Sequence, residues 1–193
     1  MNISLNKWKG KYAENIVRQI GINRGQKILD FGCGSGNYTI PIAKVVGERG
    51  IVYTLDENEE DLNQLINEAK LKCLKNIIKL KASGKSRIPL ETESVDIVLL
   101  YDILHYYYFP EEIDRRQLLS EIYRVLKPNG LLSLYPTHLE ANNMPNLNDV
   151  RSEIEDSNFI KESEHFGLIM AHEDNTEKGR IINYRKLGTV VRV

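Results

Sequence analysis

A doubly wound α/β sheet is the fold class this chain predicts, on three observations. Short apolar runs alternate with amphipathic stretches of helical period along most of its length. The run at 27–31 is followed at once by glycines and then by a helical pattern, the strand-turn-helix order of a ligand-binding sheet edge. The next run, 50–55, ends in an acid, Asp56.

The elements follow in order. Leu5, Trp8, Tyr12, Ile16 and Ile20 are spaced by threes and fours, an opening helix over 5–20 that Gly21 ends. Strand 27–31 is uniformly apolar around Asp30, as expected of a strand covered on both faces. The stretch 36–47 reads as a helix with Pro41 near its start and Gly47 at its end. Strand 50–55 comes next. Helix 59–74 carries Leu62, Leu65, Ile66, Ala69 and Cys73 on one stripe, which makes Cys73 a small core residue. Strands 77–81 and 95–101 flank "ASGKSRIPLETES", which has no helical period, so the crossover there is a loop. Helix 112–126 sets Ile113, Leu118, Leu119, Ile122, Val125 and Leu126 on one side, and "KPNG" turns the chain into strand 131–135. A polar loop over 137–148 leads to a helix at 149–157. Strands 159–171 and 180–187, joined by "HEDNTEKG", close the chain as an antiparallel hairpin. The expected organisation is one domain over 1–193: an N-terminal helix or lid (1–21), a core (26–135) and a terminal hairpin (159–187).

Composition narrows the function. With 193 residues, 41% apolar and 27% charged, the chain suits one globular domain burying roughly 70% of its unfolded surface. Lys+Arg 26 against Asp+Glu 27 leaves a net charge of −1, without the basic excess of a nucleic-acid binder. There is no apolar run of about 20 residues and no secretory pattern at the start, so a cytoplasmic protein with no membrane partner is expected. Cys33 and Cys73 stand alone, in spacing for neither a disulfide frame nor a metal site. Oligomeric state leaves no signal.

The glycine turn "ILDFGCGSGN" discriminates between ligands. A dinucleotide fingerprint would put its third glycine at 37, where this chain has Asn37; the glycines are Gly32, Gly34 and Gly36, with Asp30 ahead. Asp56, at the carboxyl end of the second strand, can accept both hydroxyls of a ribose, or can cap the following helix, for which Asn58 serves equally well. Together these features describe a nucleoside held without a pyrophosphate.

"ILDFGCGSGNYT", "VYTLDEN", "IPLETESVDIVLLYDILHYY" and "RVLKPNGLLSL", in that order, resemble the class I S-adenosylmethionine-dependent methyltransferases of the small-molecule branch. The resemblance implies a Rossmann-like, mostly parallel seven-stranded sheet of order 3-2-1-4-5-7-6, with the last strand antiparallel and helices on both faces. It also implies S-adenosylmethionine as cofactor and S-adenosylhomocysteine as product. By the same resemblance Gly32, Gly34 and Gly36 lie against the methionine part and Asp30 meets its amino group. Asp56 holds the ribose. Ser83 and Gly84 stand where the family contacts adenine, often through an acid that this chain lacks, and Tyr101 and Asp102 line the reactive end.

Methyl transfer from a sulfonium needs alignment, and a base only where the nucleophile must lose a proton. His105, in "YDILHYYY", is the leading candidate for that base, or a residue that orders its own loop; His138 is a second, and His172 reads as exposed. Tyr106, Tyr107, Tyr108 and Phe109 can wall an apolar or cationic acceptor, although consecutive residues cannot all point one way. Trp8 and Tyr12 either close over the cofactor or pack their helix on the sheet. The [DN]-P-P-[YF] signature of nucleic-acid amino methylation is absent, and no cysteine is placed for carbon-5 pyrimidine chemistry. The expected function is methyl transfer to a small molecule. The alternatives are a module that binds the cofactor and acts through a protein partner, and, on fold alone, an NAD-dependent oxidoreductase, against which the glycine spacing argues.

Overall fold

The computed structural model describes residues 8–81, 84, 86–139, 145–170 and 176–188. Seven strands form one sheet in the order β3-β2-β1-β4-β5-β7-β6. They are β1 (Lys27–Phe31), β2 (Ile51–Leu55), β3 (Ile77–Lys79), β4 (Val95–Tyr101), β5 (Leu126–Tyr135), β6 (Phe159–Met170) and β7 (Thr176–Lys186). The first five pair with one another in parallel, whereas β7 runs antiparallel to both β5 and β6. The helices are α1 (Ala13–Gln19), preceded by a π-helical turn over Trp8–Tyr12, then α2 (Thr39–Val46), α3 (Glu59–Leu71), α4 (Glu112–Val125) and α5 (Leu147–Asp156). Strand order reverses between β1 and β4, the switch point where sheets of this kind open a crevice at their carboxyl ends.

Alternation along β4 shows how the sheet divides two cores. Val98 and Leu100 pack with Leu118, Leu119 and Ile122 of α4 and Val150 and Ile154 of α5. Ile97, Leu99 and Tyr101 face the other way, toward Ile16 and Val17 of α1 and Ile42, Val45 and Val46 of α2. Period 2 on a sheet covered on both faces produces a continuously apolar strand.

Several boundaries shift for identifiable reasons. Helix α3 stops at Leu71, and Cys73, with φ +56°, takes the left-handed position beyond its cap. Cys73 N–H donates to Lys70 O and Leu74 N–H to Ala69 O, a Schellman closure that leaves Cys73 exposed and turns Leu74 inward instead. The core role expected of Cys73 is therefore corrected. Ile113, in the first turn of α4, is also exposed and not on the buried stripe. The "KPNG" turn lies inside β5: Val95 pairs with Leu126 and Ile97 with Leu131, so four residues loop out, with Asn129 at φ +60°. Strand β7 begins four residues before the expected 180, because its pairing with β6 runs on to Met170 and Thr176.

No helix occurs among the described residues between β3 and β4. Two residues of α4 hold that loop by its backbone. Arg124 donates to Leu90 O (2.7 Å) and Ile88 O (2.9 Å), and Glu121 accepts from Ile88 N–H (3.1 Å). The Arg124 guanidinium beside Glu121 in turn holds that carboxyl below its ordinary range. No described helix is long and apolar enough to cross a membrane.

Candidate functional site

The glycine turn is fastened to the end of β2, since Gly32 N–H (2.7 Å) and Cys33 N–H (3.3 Å) both donate to Leu55 O. All three glycines have positive φ, but for different needs. A Cβ on Gly32 would stand 2.0 Å from Ile103 Cδ1, and one on Gly36 would stand 2.2 Å from Leu65 Cδ1. At Gly34 a Cβ would meet nothing within 4 Å. Two glycines therefore serve packing, while the middle one borders open space at the crevice.

Asp30 lies beneath this turn, buried, and accepts a 2.5 Å hydrogen bond from the Thr39 hydroxyl at the start of α2. Burial pushes its carboxyl up to about 6, partly offset by Thr39, with the nearby charge of Asp56 adding to the rise. The N-terminus of α2 has no side-chain cap, because Tyr38 precedes it and Thr39 points to Asp30. Burial together with Asp30 and Asp56 raises the Cys33 thiol far above its usual range, which makes it unreactive.

Asp56 is at the tip of β2. Its Oδ2 accepts from Gly34 N–H (2.7 Å) and its Oδ1 from Asn58 N–H (2.8 Å). Asn58 is the cap of α3, accepting from Glu60 and Asp61 N–H. The cap and the carboxylate at the crevice are thus different residues. Each carboxylate oxygen keeps a second lone pair for a ligand hydroxyl. Gly84, at φ +116°, has open space around its Cα; Ser83 and His172 lie outside the described residues.

At the ends of β4 and β5 the character changes. Tyr101 is buried, with its ring 4.6 Å from Tyr38 and 6.2 Å from Tyr135 and its hydroxyl 2.9 Å from Ser133 Oγ. Burial raises that hydroxyl well above the tyrosine range. Trp8, fully buried, packs edge-on against Tyr38 at 5.0 Å and is a packing residue, whereas Tyr12 is 44% exposed. This aromatic column from the N-terminus to β5 was not visible in the sequence, because its members lie on four separate segments.

Asp102, the first residue past β4, has φ +61°. His105 is 2% exposed; its Nε2 lies 3.0 Å from Asp102 O and 3.4 Å from Asp102 Oδ1, and its Nδ1 accepts from Tyr107 N–H (3.3 Å). His138, in the turn past β5, has φ +59° and brings Nε2 to 3.8 Å from Asp102 Oδ1, with its side chain 38% exposed. The His105 ring centroid is 5.2 Å from that of His138 and 5.0 Å from that of Tyr108. Tyr106 and Tyr107 lie with ring centroids 3.9 Å apart, and the hydrogen bond that the Tyr106 hydroxyl donates to Tyr107 raises it above its ordinary value. Tyr107 and Tyr108 are 65% and 51% exposed, while Phe109 turns into the core.

Arg115 of α4 was missed by sequence reasoning. It is buried with Glu153 of α5 in a two-pronged pair (2.8 and 2.7 Å) and also donates to Phe109 O and Pro110 O (2.8 and 2.7 Å). The pair therefore anchors the far end of the tyrosine loop. A charged pair 38 residues apart has no local sequence signature. No three His, Cys, Asp or Glu among the described residues are grouped to hold a metal ion.

Residues 29–134 match the sequence family described as the methyltransferase domain. The chain belongs to that family. Among curated relatives of this methyltransferase domain, a demethylmenaquinone methyltransferase of Lactobacillus johnsonii is 33% identical over 137 residues, 71% of this chain and 52% of that one. One of Geobacillus stearothermophilus is 31% identical over 121 residues, covering 63% and 49%. The chain spans about half the length of these relatives. Of solved structures, a SAM-dependent methyltransferase from Aquifex aeolicus superposes with TM-score 0.71 at 22% identity over 94% of this chain and 93% of that one. Geranyl diphosphate C-methyltransferase from Streptomyces coelicolor, solved with S-adenosylhomocysteine, gives 0.69 at 13% identity, covering 94% and 82%. Both likenesses are of fold, and the sheet is the Rossmann-like one of these enzymes. S-adenosylmethionine is the family's cofactor, and the residues of this crevice fit it: open space at Gly34, a carboxylate at Asp56 with acceptor capacity to spare, and a second carboxylate, Asp30, under the turn.

Proposed function

We propose that this protein transfers a methyl group from S-adenosylmethionine to a small molecule. The observation that carries the reading is Asp56, held by Gly34 N–H at the mouth of the crevice while Asn58 does the capping. When bound, the cofactor supplies an electrophilic methyl on a sulfonium. Backbone at Gly32, Gly34 and Gly36 receives the methionine part, and the uncapped N-terminus of α2 favours its carboxylate. In this reading Asp30 serves the ammonium, and Asp56 takes the two ribose hydroxyls. Gly84, with open space around its Cα, borders the adenine. Tyr101, locked in its aromatic column, shapes the floor behind Asp102 at the methyl end.

The acceptor side is the loop of His105, Tyr106, Tyr107 and Tyr108 with His138. The relatives' name, demethylmenaquinone methyltransferase, points to a ring compound as the kind of acceptor such a wall would hold. His105 orders this loop through both ring nitrogens. Alignment and exclusion of water are the principal contributions of these residues. Calorimetry with S-adenosylhomocysteine is the test: micromolar binding that Asp56→Ala weakens is expected, and no binding at millimolar ligand would refute the function.

A further inference from the structure

Resting on that reading, we infer that Asp102 and His138 form a proton-accepting pair and that the acceptor is a planar ring carrying an ionisable hydroxyl. Six non-glycine residues among those described have positive φ. Cys73 and Asn158 follow helix ends, and Glu93 and Asn129 sit in tight turns, where left-handed backbone is ordinary. Asp102 comes directly past β4, and His138 lies in the turn three residues past β5, beyond two paired parallel strands whose last partners are Tyr101 and Tyr135. Their backbone turns bring Asp102 Oδ1 to 3.8 Å from His138 Nε2. Left-handed residues at a functional edge are a place where conformation is held for a purpose.

The two histidines differ in what they can do. A hydrogen bond from Tyr107 N–H engages Nδ1 of His105, so its proton sits on Nε2, directed at Asp102 O. That ring is 2% exposed and serves as a strut for Asp102. His138 has 38% of its side chain open to solvent. A carboxylate beside Nε2 favours the tautomer protonated there and stabilises the imidazolium formed when Nδ1 takes a proton.

The chemistry of the wall selects the acceptor. Tyr107, beside His138, and Tyr108, beside His105, are exposed aromatic faces suited to stacking a flat ring. Among the described residues, Asp102, Asp56, Glu57 and Asp61 all place negative charge near Tyr108, so a phosphate or carboxylate acceptor would be repelled. In the step, the ring hydroxyl gives its proton to His138. The electron pair of the resulting oxyanion, or of the ring carbon conjugated with it, forms the bond to the methyl carbon. The C–S pair returns to sulfur, leaving a neutral thioether; after attack by carbon, that carbon releases its own proton to water.

The test uses the full chain, radiolabelled S-adenosylmethionine, and 1,4-naphthohydroquinone, catechol and 4-nitrocatechol as hydroxylated rings of rising acidity, with benzylamine and a simple thiol as other nucleophiles. His138→Asn and Asp102→Asn retain a residue that tolerates left-handed backbone. The expected result is transfer to at least one hydroxylated ring. His138→Asn should lower kcat by about 100-fold, leave S-adenosylhomocysteine affinity unchanged, and remove the acidic limb of the pH profile. Asp102, His105 and Tyr107 are the titratable groups facing His138 among the described residues. The loss should shrink on 4-nitrocatechol, which ionises unaided. An equal loss on every ring, full activity in His138→Asn, or transfer confined to the amine or thiol would overturn the inference while donor binding stands. So would no transfer to any probe by a chain that binds S-adenosylhomocysteine. Failure of the wild-type chain to bind S-adenosylhomocysteine would overturn the underlying function instead.

Discussion

The two halves of the crevice are built differently. At the β1–β2 edge, the proposed function is written into backbone: glycines at fixed spacing, N–H groups pinned to Leu55 and Asp56, and a buried carboxylate under them. At the β4–β5 edge it is written into side chains, with left-handed residues, half-exposed rings and a loop anchored from a distance by Arg115. A donor common to many enzymes suits a rigid backbone cradle, and an acceptor particular to one suits side chains that can be exchanged without disturbing it.

Breaking the anchor should have the largest effect. Arg115→Ala leaves Glu153 buried and unpaired, and a loss of about 3–5 kcal/mol in denaturant unfolding is expected. The double variant Arg115→Met, Glu153→Met should recover most of that stability but not the acceptor KM, because the carbonyls of Phe109 and Pro110 lose their donor. Next comes Asp56→Ala. Removing the carboxylate proposed to accept two hydroxyls should weaken S-adenosylhomocysteine by about 10- to 100-fold, from roughly 1.5–3 kcal/mol for hydrogen bonds to a charged group. Calorimetry checks it, and an unchanged affinity would remove the donor half of the comparison.

Asp30→Asn should have a smaller and pH-dependent effect. Because the folded carboxyl titrates near 6 and the unfolded one near 3.8, the folded state binds more protons between those values. Stability of the unliganded wild type therefore falls as pH rises from about 4 to 6 and stays lower above it. Asn escapes that loss while still accepting from Thr39. The variant should be more stable than wild type by roughly 1–3 kcal/mol at pH 7, the difference shrinking at pH 4, yet bind the donor's ammonium less well. Unfolding at the two pH values decides it; a difference independent of pH would contradict the buried titration. The smallest effect on stability belongs to Tyr107→Leu, within about 0.5 kcal/mol for an exposed site. It should nonetheless raise the acceptor KM, a contrast that separates wall from core.

Legibility followed the same division. Gly32, Gly34, Gly36, Asp30 and Asp56 were singled out by spacing, and the structure brings them together at the ends of β1 and β2, because a tight strand-to-helix turn imposes residue type at fixed intervals. The loop in place of a crossover helix was readable from missing periodicity, but not its support by Arg124 and Glu121, which reach it from α4. Cys73 misled, because a hydrophobic stripe carries no marker for the residue at which a Schellman closure ends the helix. At the β4–β5 edge the sequence ranked His105 ahead of His138, and the proposed pair of Asp102 with His138 reverses that order, because the Tyr107 N–H engages Nδ1 of a buried His105, which no sequence pattern shows.

By itself the sequence determined most of the strands and helices and the spacing of the glycine turn, because each rests on local period or spacing, and the resemblance that its motifs carry implied the strand order and the family. The tertiary structure alone decided that Asp102 meets His138, that Trp8, Tyr38, Tyr101 and Tyr135 form one column, and that Arg115 reaches Glu153. Those pairings join residues from different strands and helices, and only the register of the folded sheet brings them within a few ångströms.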